Sequence, residues 1–365
     1  MNGKRFIIAG GGTGGHIFPA IAIANTLKQL SPDANFLFVG AKGKMEMEKV
    51  PQAGYDIEGL TIAGLNRSSL IKNIGLPIKL IQSFIQVSRI IKRFKPDAVI
   101  GVGGYSSFPV LRFAQSKGIP TFIHEANSFA GKSNMMLGKK AIKIFTATDG
   151  MERFFPKEKI IVSGNPVRKA ILNIDTDHTT CINHFGLIAG KKTVLCVGGS
   201  LGAKSINEAI EKNIHLFEEN NLQLIWQTGK PFIERARAIC ADKKNVYVSD
   251  FITQMEYAYS AADVVISRSG AMSVSELCIV AKPVVFVPYP HAAEDHQTAN
   301  AKKLVNKNAA LLIEDKAALN KLIPAVIELM NNKIQQETLQ SNIRKLSISN
   351  ADEIVAKEIL NYLNR

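Results

Sequence analysis

Short apolar runs recur along the chain, each followed by a loop and then by apolar residues at helical spacing. Ile7–Ala9 is the first run, and Gly10-Gly11-Gly12-Thr13-Gly14-Gly15-His16 follows it. Pro19 to Leu30 then reads as a helix. Phe36–Val39, Tyr55–Ile62, Pro96–Val102, Thr121–His124, Ile142–Thr146 and Ile160–Val162 read as further strands, with helices expected over Lys42–Val50 and Phe129–Lys140. Strands alternating with helices predict a parallel sheet with crossover helices. The opening then repeats: Thr193–Val197 is apolar, Gly198-Gly199-Ser200-Leu201-Gly202-Ala203 is a second glycine loop, and Lys204–Glu219 reads as a helix. Gln223–Gln227, Val246–Val248, Val264–Ile266 and Pro283–Val287 continue the second series, with a helix at Gln254–Ala261 and a helical tail from Lys316 that breaks near Ser347–Asn350. Two strand–glycine loop–helix starts, half a chain apart, predict two similar α/β domains.

Leu65 to Phe94 departs from this alternation. Apolar residues are mixed there with Arg67, Lys72, Lys79, Arg89, Lys92 and Arg93, and no acidic residue appears. Such a stretch is either a core helix with a basic outer face or a patch that lies on an anionic bilayer. Its apolar content exceeds one narrow stripe, which favours the bilayer. Candidate patch residues are Lys72, Leu76, Lys79, Leu80, Phe84 and Arg89.

Composition narrows the partners. The 365 residues suit two domains, and a formal charge of +14 favours an anionic partner. No nucleic-acid-binding motif is visible, so a phosphorylated small molecule or a lipid surface is preferred. The four cysteines are scattered and form no CxxC pair, which fits a reducing compartment. No run has the length of a membrane span or a signal h-region, so a cytoplasmic protein is expected. Asp175-Thr176-Asp177 has a DxD spacing but no framing histidine, and reads as a solvated loop. No metal site is expected.

The loops suggest the chemistry. Ligands of open α/β sheets bind at the carboxyl ends of the strands, where both glycine loops lie. Ser200 and the amides of Gly199–Ala203 suit a diphosphate, and Arg168 suits its charge. Arg168 could instead form a hinge salt bridge. Glu276 could accept two hydrogen bonds from a ribose diol, or serve only to pair with the helix dipole. His16, at the end of the first glycine loop, is a candidate general base or a donor to a pyrophosphate, and His124 is the alternative base. A simple NAD site fits poorly, since no acidic residue ends the second strand: Asp33 precedes Phe36. A Walker A loop is excluded because no Gly-Lys-Ser/Thr occurs in these loops.

Gly10–His16, Gly103-Gly104-Tyr105, His124-Glu125-Ala126-Asn127, Gly164-Asn165-Pro166-Val167-Arg168, Gly198-Gly199-Ser200 and Arg268-Ser269-Gly270 with Ser275-Glu276 occur in that order. Together they resemble the bacterial N-acetylglucosaminyltransferases that act on undecaprenyl-pyrophosphoryl-MurNAc-pentapeptide. The resemblance implies a GT-B fold, α/β, with two Rossmann-like doubly wound domains facing across a cleft. It implies an acceptor and membrane-associating domain over 1–164, rejoined by a closing helix at 349–365, and a donor domain over 165–348. It implies UDP-GlcNAc as donor, the lipid-linked MurNAc-pentapeptide as acceptor, inversion to a β-1,4 product, and no cofactor. Thr13, Gly14, Gly15, Asn127, Arg168, Ser200, Ile252, Met255, Ala271, Met272, Ser273, Val274, Ser275, Glu276 and Gln297 match donor-binding positions, with Ile252 and Met255 around uracil. Gly103, Gly104 and Tyr105 match acceptor positions. Ala126, Leu201 and His296 stand where the family often has Gln, and the first two remove amide donors. The resemblance also implies a peripheral place on the cytoplasmic face of the inner membrane, among cell-wall or division machinery. Other readings are a transferase of this fold for another glycolipid or natural product, and a non-catalytic binder of nucleotide sugars.

Overall fold

The computed structural model describes residues 3–64, 75–174, 177–199 and 201–365. The chain divides into two compact units, Met1–Val167 with Ser349–Arg365, and Arg168–Ile348.

The first unit is built on β1 (Arg5–Ala9), β2 (Asn35–Ala41), β3 (Asp56–Leu60), β4 (Ala98–Gly101), β5 (Thr121–Glu125), β6 (Lys143–Thr146) and β7 (Ile160–Val162). Their order is β3-β2-β1-β4-β5-β6-β7, and every pairing is parallel. Strand alternation gives the sheet two buried faces. Phe6 and Ile8 enter one core, Ile7 and Ala9 the other. The helix Gly14–Leu30 covers the first face together with the C-terminal helix Ala351–Leu363. That last helix inserts Val355, Ala356 and Ile359, all fully buried, and sets Tyr362 edge-on to Phe122.

The second unit carries β8 (Thr193–Val197), β9 (Gln223–Gln227), β10 (Val246–Ser249), β11 (Val264–Ser267), β12 (Val284–Phe286) and β13 (Leu311–Leu312). Its order, β10-β9-β8-β11-β12-β13, repeats the winding of the first unit's six leading strands, again all parallel. Its core surrounds Trp226, whose indole N–H donates to Asn207.

Several local expectations change. The first helix begins at Gly14 rather than Pro19, and Pro19 sits inside it. At the sixth helical position Pro19 removes one bond of the ladder, the one an amide there would give to Gly15 O. The expected Lys204–Glu219 helix is two, Lys204–Lys212 and His215–Glu219. The structure adds a helix at Ser107–Ser116. Asp175 and Thr176 of the DxD lie outside the described residues; Asp177 caps the helix His178–His184, accepting from the Thr179 and Thr180 amides. Among the described residues no three His, Cys, Asp or Glu side chains cluster as a metal site would need.

The basic, apolar stretch forms the helix Leu76–Phe94. Lys72 lies outside the described residues. Leu76 and Phe84 are half-buried rather than presented to a surface. Ile78, Ile81 and Ile85 replace them as the outward apolar residues, at 63 %, 62 % and 49 % exposure. Their i, i+3, i+7 spacing makes one stripe. Lys79, Leu80, Arg89 and Lys92 of the same helix are also exposed. Among the described residues no helix is long and apolar enough to cross a membrane.

Truncating Ile359 to alanine is expected to cost the first unit about 2–5 kcal/mol. Hydrogen exchange should show lost protection in β1 and β4 and unchanged protection in β8 and β11; loss confined to β8 and β11 would contradict this packing.

Candidate functional site

In each unit the strand order reverses at one point, between β1 and β4 and between β8 and β11. The loops that leave those strands carry the candidate residues.

In the first unit the β1 loop and the β4 loop touch. A Cβ on Gly104 would lie 2.4 Å from Gly11 O. Gly103, at φ +97°, leaves room for the His16 ring: a Cβ there would lie 2.8 Å from both Cδ2 and Nε2. His16 is half-buried, with Nδ1 3.1 Å from Gly11 O and 3.3 Å from Thr13 Oγ1. A carbonyl can only accept, so the bond to Gly11 O requires the proton on Nδ1. Tyr105 stands over Gly12, and its phenol is pushed up by burial and then by the Glu46 carboxylate.

His124, the alternative base, is unsuited to that role. It is wholly buried at the end of β5. Nε2 donates to Gly164 O at 3.2 Å, and Nδ1 has no hydrogen-bond partner among the described residues. Burial pushes its pKa down to about 4, the Gly164 bond opposing and His16 adding to the drop. Neighbouring Glu125 is also buried, and burial raises its pKa against four hydrogen bonds. It accepts from the Asn127 backbone and side chain, the Gly131 amide and Asn134. It thereby shapes the loop that presents Asn127.

In the second unit Arg168 and Glu276 bind each other. Arg168 donates through Nε and Nη2 to Glu276 Oε1, at 3.1 and 2.9 Å. The buried Tyr259 hydroxyl donates to Oε2 at 3.1 Å. Burial, then Glu276, drives that phenol well above its ordinary pKa. Arg168 thus makes the salt bridge weighed above beside a diphosphate role, and the pair occupies part of the Glu276 carboxylate that a ribose diol would use. With the pair intact, Oε2 has one lone pair left for a donor. Arg168 keeps Nη1 for an anion.

Glu276 lies in the helix Ala271–Val280, whose first turn, Ala271 to Ser273, opens at the end of β11. Val274 is buried, and Ser275 Oγ bonds back to Ala271 O at 3.1 Å, so these two side chains serve the helix itself. Ser200 lies outside the described residues. The rest of its loop presses on its neighbour: a Cβ on Gly202, at φ +74°, would lie 2.0 Å from Thr228 O. Ile252 and Met255 are buried, and the exposed apolar side chain of their loop is Phe251. Gln297 accepts from the Tyr289 amide at 2.9 Å through Oε1, which leaves its NH2 as the donor end. Arg268 anchors its loop, donating to Val287 O, Pro288 O and Asp315.

Three residues that shape these loops carry no signal in the sequence. Glu46 accepts from the Gly12 and Ala41 amides. Gln227 accepts from the Ile252 amide and donates to Gly199 O, tying two loops together. Tyr259 holds Glu276. No local pattern marks them, because each is defined by what lies opposite in space.

Two parallel, doubly wound units with glycine loops at their switch points make up the fold of GT-B glycosyltransferases. Models of the glycosyltransferase family 28 N-terminal domain and C-terminal domain match residues 6–146 and 193–357. The chain belongs to glycosyltransferase family 28. It is 50 % identical over 364 residues to a Phocaeicola vulgatus protein named UDP-N-acetylglucosamine–N-acetylmuramyl-(pentapeptide) pyrophosphoryl-undecaprenol N-acetylglucosamine transferase, covering 99 % of this chain and 97 % of that one. A protein of the same name from Flavobacterium psychrophilum is 50 % identical over 361 residues, covering 99 % and 98 %. The crystal structure of Acinetobacter baumannii MurG matches with a TM-score of 0.80 at 30 % identity, over 98 % of this chain and 99 % of that one. The calicheamicin glycosyltransferase CalG4 matches at 0.73 with 12 % identity, covering 100 % and 99 %, a likeness of fold alone.

The buried His124 gives an acid-stability prediction. Its folded pKa of about 4 lies below the unfolded value of 6.5. The unfolded chain therefore binds the extra proton between these pH values. Stability is full above pH 6.5 and falls by about 3 kcal/mol toward pH 4. His124→Asn should flatten this acid limb in urea titrations at pH 7, 6 and 5; an unchanged slope would show that His124 does not set it.

Proposed function

We infer that this enzyme moves GlcNAc from UDP-GlcNAc to the C4 hydroxyl of MurNAc in undecaprenyl-pyrophosphoryl-MurNAc-pentapeptide, forming a β-1,4 bond with inversion. The observation that carries this reading is the near full-length, 50 % identity with relatives named for that transfer. It favours this acceptor over another glycolipid or a natural product.

The acceptor oxygen attacks the anomeric carbon as the bond from that carbon to the diphosphate breaks, and UDP leaves with the electron pair. The acceptor proton goes to His16 Nε2, whose lone pair is set by the Nδ1 bond to Gly11 O. Charge on the leaving diphosphate is met by Arg168 Nη1, by the Ser200 loop and by the amides at Ala271 to Ser273. These donors supply the stabilisation with no metal ion. Glu276 Oε2 and Gln297 hold hydroxyls of the donor. Thr13, Gly14, Gly15 and Asn127 contribute to donor binding, and Gly103, Gly104 and Tyr105 to the acceptor.

The lipid-linked acceptor demands access to a membrane surface. The stripe Ile78, Ile81 and Ile85, with Lys79, Arg89 and Lys92 on the same helix, suits the anionic cytoplasmic leaflet. Each isoleucine removed from water contributes about 1.5–3 kcal/mol, and each basic residue about 1 kcal/mol. Because the isoleucines are already partly buried, the two groups are expected to contribute comparably to membrane binding.

UDP release in EDTA should require the lipid-linked MurNAc-pentapeptide. His16→Ala should lower kcat at least about a hundredfold with little change in the KM for UDP-GlcNAc; a kcat near wild type would overturn the base assignment. Sedimentation with anionic vesicles should be weakened both in Ile81→Ser/Ile85→Ser and in Lys79→Gln/Arg89→Gln. Undiminished binding of both variants would reject the patch.

A further inference from the structure

We propose that Glu46 is a positioning residue for catalysis, holding the first glycine loop in the geometry that orients His16. This rests on the reading of His16 as the base.

Glu46 opens the helix Glu46–Gln52 and is 1 % exposed. A carboxylate there is far from ordinary, because burial of an unpaired charge is costly. Its two oxygens are divided between two loops. Oε2 accepts the Gly12 amide and Oε1 the Ala41 amide, both at 2.9 Å. The helix N-terminus adds a favourable field. The fit is close on two sides: a Cβ on Gly11 would lie 2.2 Å from Oε1, and a Cβ on Gly40 2.4 Å from Cγ. Glycine at these positions makes space for this one side chain.

The link to His16 is short. Glu46 fixes the Gly12 amide, and the Gly11 carbonyl of the same peptide accepts the Nδ1–H hydrogen bond of His16. Releasing Gly12 frees that carbonyl to turn, and with it the tautomer and tilt of the imidazole. A carboxylate alone satisfies both amides. Glutamine keeps one acceptor oxygen, and its NH2 would face the second N–H. Aspartate keeps the charge and both oxygens but is one carbon short.

The test is a double-variant cycle on the full-length enzyme with UDP-GlcNAc and the lipid-linked acceptor. Glu46→Gln should lower kcat roughly ten- to a hundredfold, with a smaller rise in the KM for UDP-GlcNAc, since only Thr13, Gly14 and Gly15 among the proposed donor residues share the loop that Glu46 holds. In a His16→Ala background the same substitution should lower kcat no further. An equal loss in both backgrounds would overturn the proposal, as would a wild-type kcat in Glu46→Gln. A wild-type kcat in His16→Ala would overturn the base reading instead. Imidazole nitrogen NMR gives a second readout: His16 should be the Nδ1–H tautomer in the wild type and a mixture in Glu46→Gln. Unchanged tautomers would count against the role. Should Glu46→Gln fail to fold, Glu46→Asp should show the kcat loss, and full activity in it would refute the role.

Discussion

In both units a loop backbone after the first strand, at β1 and at β8, runs too close to its neighbour for a side chain to fit. Gly104 meets the carbonyl of Gly11, Gly103 meets the ring of His16, and Gly202 meets the carbonyl of Thr228. This contact fixes the rest of the site. Loops pressed together without side chains leave their amides directed at whatever occupies the end of the sheet. They also place helix N-termini, with unpaired N–H groups, at the same edge. A phosphorylated substrate needs such a surface, and side chains alone would supply it less rigidly.

Buried carboxylates do the complementary work in a chain whose formal charge is +14. Glu46 gathers two amides, Glu125 gathers the Asn127–Asn134 loop, and Glu276 is held by Arg168 and Tyr259. Each accepts several hydrogen bonds at once, which offsets the cost of removing the charge from water. Among the described residues no Lys or Arg is buried, so the excess of basic residues lies outward. These three acidic residues are used inside, where they order neighbouring polar groups. The Arg168–Glu276 pair belongs to both groups. It holds a cation against a buried carboxylate and limits how many further donors that carboxylate can accept.

The helix Leu76–Phe94 obeys a different balance. Val87, Ile90 and Ile91 anchor it in the core, while Ile78, Ile81 and Ile85 on its N-terminal half face outward. A contiguous apolar stripe on a surface is costly in water and becomes favourable on a bilayer. Basic residues of the same helix add attraction to anionic headgroups without requiring a spanning segment.

Much of this was legible in the chain itself. Apolar runs spaced by helices determine parallel α/β units, because a strand buried on both faces must be apolar throughout. Glycine clusters after β1, β4 and β8 mark the switch points, because only glycine permits that approach. His16 and Glu276 were visible as chemical groups at loop ends. Tertiary structure decided what those groups touch. His124 looked like a base and is sealed in the core. Arg168 and Glu276, 108 positions apart, meet in one ion pair. Leu76 and Phe84 lean inward while three isoleucines lean out, since helix rotation is set by the core it packs on. Glu46, Gln227 and Tyr259 carry no mark in their own neighbourhoods. Their roles come from backbone amides and a carboxylate supplied by distant segments, and hydrogen-bond partners chosen across space leave no period or motif along the chain.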